Sequence, residues 1–287
     1  MTTAYLNGEF LPLQEARISP LDRGFLFGDG IYEVVPSYGG RMVGFSQHFA
    51  RMEKGLALVE IAPSLTEQDT RDICQHLIDS NRETLGENIG VYLHVSRGAD
   101  TRRFHAYPDG VQPTVFAFAF ALTPPVTANR TIHAGAKVAI TQDLRWQRCH
   151  IKSTALLGNV MHFQQGYREG NAETILFNGD GQITEASSSN VFIVKDGEVL
   201  TPPLDNQLLP GITRMLVLAC LQKAGIPHSE SWFSVDELNS ADEVWLTSSG
   251  KEILPVVQVG DKTIADGKVG PVWEQAFTLY SKLKFEL

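Results

Sequence analysis

Thr123-Pro124-Pro125-Val126-Thr127 divides the chain. Adjacent prolines fix φ and lack backbone N–H groups, so this stretch holds an extended connection and forbids a helix from starting. It follows an apolar run, Val115 to Leu122, that reads as a buried strand and is far short of the roughly 20 residues needed to cross a bilayer. The boundary predicts two domains, residues 1–122 and 131–287, joined by a linker over 123–130. The length agrees, because 287 residues exceed the roughly 100–200 expected of one domain.

Upstream of the prolines the pattern is strands joined by tight turns, with Asn7-Gly8 and Gly39-Gly40 at hairpin positions and alternating apolar residues in Ile31 to Tyr38. Two helices interrupt it. One runs from about Ser46 and buries Phe49, Met52 and Leu56. The next starts at Thr66 as N-cap and turns Ile73, Leu77 and Ile78 inward. Downstream, strands are expected at Lys137 to Thr141, Thr174 to Asn178 and Asn190 to Val194, with a hairpin at Asp196-Gly197. A helix is expected from Ser153 to Gly170, carrying Leu156, Leu157, Val160, Met161 and Tyr167. Another is expected from Thr213 to Gly225. Ser234-x-x-Glu237 has the form of a capping box, and a last helix from about Pro271 should expose Lys282 and Lys284 near its negative end.

The formal net charge of −9 argues against a DNA or RNA partner, which needs a cationic face to release counterions. Met1 to Phe10 has no basic start, apolar run or small-residue cleavage site, so no signal peptide is read there. Cys74, Cys149 and Cys220 are odd in number and widely spaced, which fits reduced thiols in the cytoplasm and no membrane association. The histidines lack metal-ligand spacing, so no metal site is expected. Gly28-Asp29-Gly30 and Gly179-Asp180-Gly181 lack a third glycine, and both are better read as hairpin turns than as nucleotide loops.

Three features point to chemistry. Lys152 has no acidic residue near it in sequence from Leu144 through Arg168. Partly desolvated, such an amine loses proton affinity and can attack a carbonyl near neutral pH; a packing lysine is the plainer alternative. Glu185 follows a turn and precedes Ser187-Ser188-Ser189-Asn190, where a carboxylate set against a pyridine nitrogen would keep it protonated; a surface turn acid is the alternative. Gly211-Ile212-Thr213 opens a helix whose N–H groups can hold a phosphate, with Arg51 as a possible countercharge.

Five stretches then fall in one order: Asp22-Arg23-Gly24-Phe25-Leu26-Phe27-Gly28-Asp29-Gly30-Ile31-Tyr32-Glu33, His48-x-x-Arg51, Cys149-His150-Ile151-Lys152-Ser153, Thr184-Glu185-Ala186-Ser187-Ser188-Ser189-Asn190 and Gly211-Ile212-Thr213-Arg214. Together they resemble the fold type IV, or class IV, aminotransferases over nearly the whole chain. The resemblance implies an α/β (α+β) fold with a small N-terminal α/β domain and a larger C-terminal domain on a β-barrel-like core. It implies a homodimer with pyridoxal 5'-phosphate held between the domains. Lys152 would carry the cofactor as a Schiff base and move the proton, and Glu185 would meet the pyridine nitrogen. Arg51, Ile212, Thr213 and Ser249 would hold the phosphate, and Leu209 would pack on the ring.

Within the family the chain most resembles the D-amino-acid transaminases. Arg103-Phe104-His105 matches their Arg-x-His carboxylate trap, to which Tyr32 also contributes, and which reaches across from the partner subunit. The implied reaction moves the amino group of D-alanine to 2-oxoglutarate, giving pyruvate and D-glutamate by ping-pong kinetics. Rival readings on the same fold are an L-branched-chain aminotransferase, an amine transaminase and an aminodeoxychorismate lyase. Branched-chain enzymes show Tyr-x-Arg where this chain has Tyr92-Leu93-His94, which counts against the first. A non-catalytic anion-binding protein is disfavoured by the presence of both Lys152 and Glu185.

Overall fold

The structure is a computed structural model that describes residues 1–62 and 65–287. The chain forms two compact units, and the division falls between Pro124 and Pro125. One unit comprises Met1–Pro124 together with Ile151–Leu156; the other comprises Pro125–His150 and Leu157–Leu287. The excursion at Ile151–Leu156 was not anticipated by a single cut at the prolines.

The first unit contains β1 (Thr3–Leu6), β2 (Glu9–Pro12), α1 (Arg23–Phe27), β3 (Gly30–Tyr38), β4 (Arg41–Met42), α2 (Phe45–Leu58), α3 (Glu67–Leu85), β5 (Asn88–Ser96) and β6 (Thr114–Ala121). Its strands form one antiparallel sheet in the order β2-β1-β6-β5-β3-β4. Apolar residues on one face of the pleat, including Val35, Val91 and Ala117, pack with Phe49, Met52 and Leu56 of α2 and Ile73, Leu77 and Ile78 of α3. The Asn7-Gly8 and Gly39-Gly40 turns both have positive φ at each residue, as the expected hairpin turns require. Thr66 caps α3 in a reciprocal box with Asp69.

Residues 151–154 lie along the open edge of β3. Tyr32 N donates to Lys152 O (3.1 Å), Thr154 N donates to Gly30 O (2.9 Å), and Ile31 bridges Ser153. This pairing corrects the helix expected from Ser153. The backbone there is committed to a strand edge, and helix α4 starts only at Leu157 and ends at Arg168. Gly28 is also not a hairpin residue. It is the left-handed C-cap of α1 (φ +67), and a Cβ there would fall 2.8 Å from Ala155 Cα, so the glycine lets the Lys152 segment approach.

The second unit contains β7 (Ala136–Gln142), α4 (Leu157–Arg168), β8 (Thr174–Phe177), β9 (Ile183–Ala186), β10 (Asn190–Lys195), β11 (Glu198–Thr201), α5 (Ile212–Ala224), β12 (His228–Glu230), α6 (Val235–Asn239), β13 (Glu243–Ser248), β14 (Glu252–Val259), β15 (Lys262–Thr263) and α7 (Pro271–Leu283). Its sheet runs β12-β11-β10-β13-β14-β7-β8-β9, with β15 on β14. Strand β9 comes back against β10, so six strands curl into the expected barrel-like core. Val138, Ile175, Ile183, Val191, Ile193, Val244, Leu246 and Val256 fill it. The capping box at Ser234 and Glu237 forms as read.

Lys284 departs from expectation. It is buried and ion-paired to Glu252 rather than exposed beyond the end of α7. A buried ammonium needs a partnered carboxylate, and that need outweighs the weak pull of a helix end. No helix among the described residues is long and apolar enough to cross a membrane.

Candidate active site

In the first unit, Lys152 is half-buried, with Nζ 4.1 Å from the centre of the Tyr32 ring. Its backbone is fixed by the bond to Tyr32 N, whereas its amine forms no hydrogen bond or ion pair among the described residues. Tyr32 stacks on Tyr92 at 5.5 Å between ring centres. One strand position further, Glu33 points to the other face of β3 and is fully buried. Arg51 Nε and Nη2 donate to its two oxygens at 2.7 Å each, and His48 Nδ1 lies 2.6 Å away. Arg51 is thus already braced by Glu33, a partner that sequence reasoning did not assign.

Burial alone would raise the Glu33 carboxyl, but Arg51 and His48 outweigh it and hold the group well below the usual carboxylate range. Burial, helped by the neighbouring Arg51 and Lys152 cations, lowers His48 despite the opposing pull of Glu33. For Glu33 the sign follows directly. A folded-state pKa below the unfolded value gives stability that is present at neutral pH and lost as pH falls below about 4.5. Glu33→Gln should therefore destabilise the protein at pH 7 by about 3 kcal/mol, the scale of a broken buried pair. Urea unfolding at pH 7 and pH 3 checks this: the gap between variant and parent should narrow in acid, and a gap independent of pH would contradict it.

Arg103 and His105 lie in the exposed loop between β5 and β6. Both flank the Phe27 ring, Arg103 at 5.0 Å from its centre and His105 at 5.3 Å between ring centres. The Arg103 guanidinium makes no hydrogen bond or ion pair among the described residues, which leaves its donors open to another group.

In the second unit, Glu185 is the third residue of β9 and is buried, which sets aside the surface-turn reading. Its Oε1 accepts from Arg145 Nη1 (2.6 Å), and its Oε2 accepts from Leu209 N (3.0 Å) and more distantly from Asn190 Nδ2 (3.4 Å). Arg145 is itself held by Asp143 through Nε (3.0 Å) and Nη2 (2.7 Å). Burial pushes the Glu185 carboxyl up, and Arg145 and the Leu209 N–H pull it back without cancelling the rise. Arg145 was missed in the sequence; its only signal was a cation in a stretch that lacks acids.

Helix α5 begins at Gly211 with no side chain capping it, so the N–H groups of Ile212 and Thr213 open the helix unblocked. Ile212 and Thr213 are buried, and a Cβ at 211 would fall 2.0 Å from Asn190 Oδ1. This is a glycine-lined cradle with positive helix-end polarity, which fits a phosphate. The loop before it places half-buried Leu209 beside Glu185. Ser249, in the turn after β13, is half-buried, and its side chain is bonded to none of these residues.

The amine, the buried acid and the anion cradle therefore exist as built features, and comparison with known proteins gives them a common context. The model of the family described as amino-transferase class IV matches residues 30–259. A D-alanine aminotransferase of Staphylococcus haemolyticus is 36% identical over 276 residues, covering 96% of this chain and 95% of the relative. One from Listeria monocytogenes is 34% identical, covering 94% and 92%. Among solved structures, the branched-chain amino acid aminotransferase of Escherichia coli superposes with a TM-score of 0.88 at 22% identity, covering 98% of this chain and 94% of the other. A hypothetical aminotransferase from Mycobacterium tuberculosis in its PLP-bound form gives 0.84 at 19% identity, covering 99% of both. With the family model spanning most of its length and full-length relatives well above 30% identity, this chain belongs to the class IV aminotransferases.

Proposed function

We propose that the chain is a pyridoxal 5'-phosphate-dependent D-amino-acid transaminase that moves the amino group of D-alanine to 2-oxoglutarate, giving pyruvate and D-glutamate. The observation that carries the D-specific reading is the Arg103 and His105 pair, set on one ring with an unengaged guanidinium, in a chain whose 34–36% identical relatives are named D-alanine aminotransferases. The branched-chain name belongs to structures at 22% identity, which speak for the fold.

The residues present fit the cofactor: an unpaired amine at Lys152, a buried carboxylate at Glu185, and the cradle at Ile212 and Thr213 for a phosphate. The cofactor, when bound, supplies an aldehyde for the amine and an aromatic electron sink for the carbanion. Lys152 is the residue that would bear it, and its Nζ would move the substrate's Cα proton to the cofactor's aldehyde carbon. The Tyr32 ring below Nζ keeps the amine oriented. Glu185, a buried carboxylate that Arg145 fixes in place, would face the ring nitrogen and hold a proton there. Leu209 would pack on the ring, Ser249 and Arg51 would complete the phosphate contacts, and Glu33 sets the plane of the Arg51 guanidinium. Arg103, His105 and Tyr32 bind the substrate carboxylate, and the two half-reactions share one site, which gives ping-pong kinetics.

Offering D-alanine and L-leucine separately with 2-oxoglutarate tests the assignment. Pyruvate should form from D-alanine, and turnover of L-leucine alone would end it. A homodimer suits the apolar side chains left exposed on α4, Leu157 (73%) and Met161 (65%), and at Phe25 (70%). Sedimentation of the active enzyme as a monomer would exclude it. A cytoplasmic location suits three buried, unpaired cysteines, of which Cys74 and Cys149 are each pushed up to about 12, first of all by burial. Cell fractionation that placed the protein outside the cytoplasm would overturn this.

A further inference from the structure

Helix α1 is five residues long, yet it carries an arginine that is only 3% exposed. Arg23 Nη1 donates to Phe104 O (2.5 Å) and Ala106 O (3.3 Å), and Nη2 donates to His105 O (3.2 Å). A single guanidinium thus gathers three consecutive carbonyls of a loop more than 80 residues away, and a loop held this way cannot rotate its peptides independently. Arg23 Nε donates to Asp29 Oδ2 (2.8 Å), which keeps the buried cation neutralised.

The acid is shared. Arg97 Nε and Nη2 donate to Asp29 Oδ2 and Oδ1 (2.8 and 3.1 Å), and its guanidinium lies 3.5 Å from the centre of the Tyr107 ring, the residue after the gathered carbonyls. At the other end of α1, the Phe27 ring lies 4.9 Å from the Arg23 guanidinium and also carries Arg103 and His105. Backbone and side chains of the same loop are therefore fixed by two residues one helical turn apart.

We propose that Arg23 and Phe27 are positioning residues for substrate carboxylate recognition: Arg23 sets the backbone of residues 104–106, and Phe27 sets the directions of the Arg103 and His105 side chains. This rests on the reading of Arg103 and His105 as carboxylate ligands. The loop is exposed from Thr101 to Tyr107 and contains no strand or helix of its own, so without the brace it has no internal structure to hold a bidentate geometry.

The test uses the holoenzyme with Arg23→Lys, which keeps the charge beside Asp29 but loses the forked donor, and Phe27→Leu, which keeps an apolar side chain but loses the ring. Three readouts are taken: cofactor absorbance, tryptic cleavage after Arg102 and Arg103, and KM for D-alanine. Arg23→Lys should speed cleavage and raise KM roughly 10-fold to 100-fold, the cost of misplacing a binding group by about an ångström, with absorbance unchanged. The rise should vanish when Arg103 is already alanine. Phe27→Leu should raise KM several-fold without speeding cleavage. Unchanged cleavage and KM in Arg23→Lys would overturn the proposal, as would an equal KM effect with and without Arg103, or an unchanged KM in Phe27→Leu. If Arg103→Ala alone left KM unchanged while Arg23→Lys still loosened the loop, the carboxylate reading would have failed and the substrate role of the brace with it.

Discussion

Replacing Lys152 with alanine should lower kcat by on the order of 10⁴-fold, the upper range for removing a general acid–base group, while leaving the melting temperature nearly unchanged. The asymmetry follows from how the residue is held. Its backbone carries the structural bonds to β3, and alanine keeps them. Its amine contributes only the approach to the Tyr32 ring, which at a half-exposed position is worth about 0.5–1 kcal/mol. Steady-state rates with D-alanine, a thermal melt and the visible absorbance of the purified protein check it. Borohydride reduction followed by peptide mass mapping should put the coenzyme's mass on the peptide holding residue 152 in the parent and on no peptide in the variant. A label on another lysine would remove the central assignment.

Glu185→Gln should cost on the order of 10²–10³-fold in kcat, comparable to losing one preorganised electrostatic contact in a catalytic site. An amide keeps the shape, and its oxygen can still accept from Leu209 N, but it cannot hold a proton at a ring nitrogen. The variant should fold, because Arg145 retains both bonds to Asp143 and is not left as an unpaired buried cation. In cofactor-free protein there is also a pH signature. Burial raises the folded-state pKa of Glu185, so its contribution favours folding below about 4.5 and fades as pH rises toward the raised value. Glutamine cannot titrate, so the stability of the variant relative to the parent should improve as pH rises above about 4.5. A kcat within threefold of the parent would contradict the assigned role.

Features set by local order were legible in the sequence: the three hairpin turns with glycine at the second position and the helix opening at Gly211 to Thr213, as were Lys152 and Glu185 as candidates. Their partners were not. Arg145 and Glu185 are 40 positions apart, Arg51 and Glu33 are 18 apart, and Arg23 reaches carbonyls 81 to 83 positions away. Such pairs leave no periodic trace, because a buried charge selects whichever opposite charge the fold delivers. The helix expected from Ser153 failed for a related reason. Leu156 and Leu157 continue the apolar spacing of α4 backward, but the hydrogen bonds of residues 152–154 are already used by β3. Lys284 misled in the same way, since a helix-end lysine is ordinarily solvated and only the distant Glu252 makes it internal.

The strip at 151–154 also shields β3. Strand β4 covers only Ser37 and Tyr38 along that margin, so Gly30 to Tyr32 would otherwise offer unpaired amides and carbonyls to any passing strand. During synthesis the six-stranded sheet is complete once β6 has emerged, but this margin stays bare until the peptide bearing Lys152 leaves the ribosome. Nascent chains stalled in that interval, or fragments truncated before residue 151, would carry an adhesive ribbon end, and the peptide that brings Lys152 is the same one that closes it.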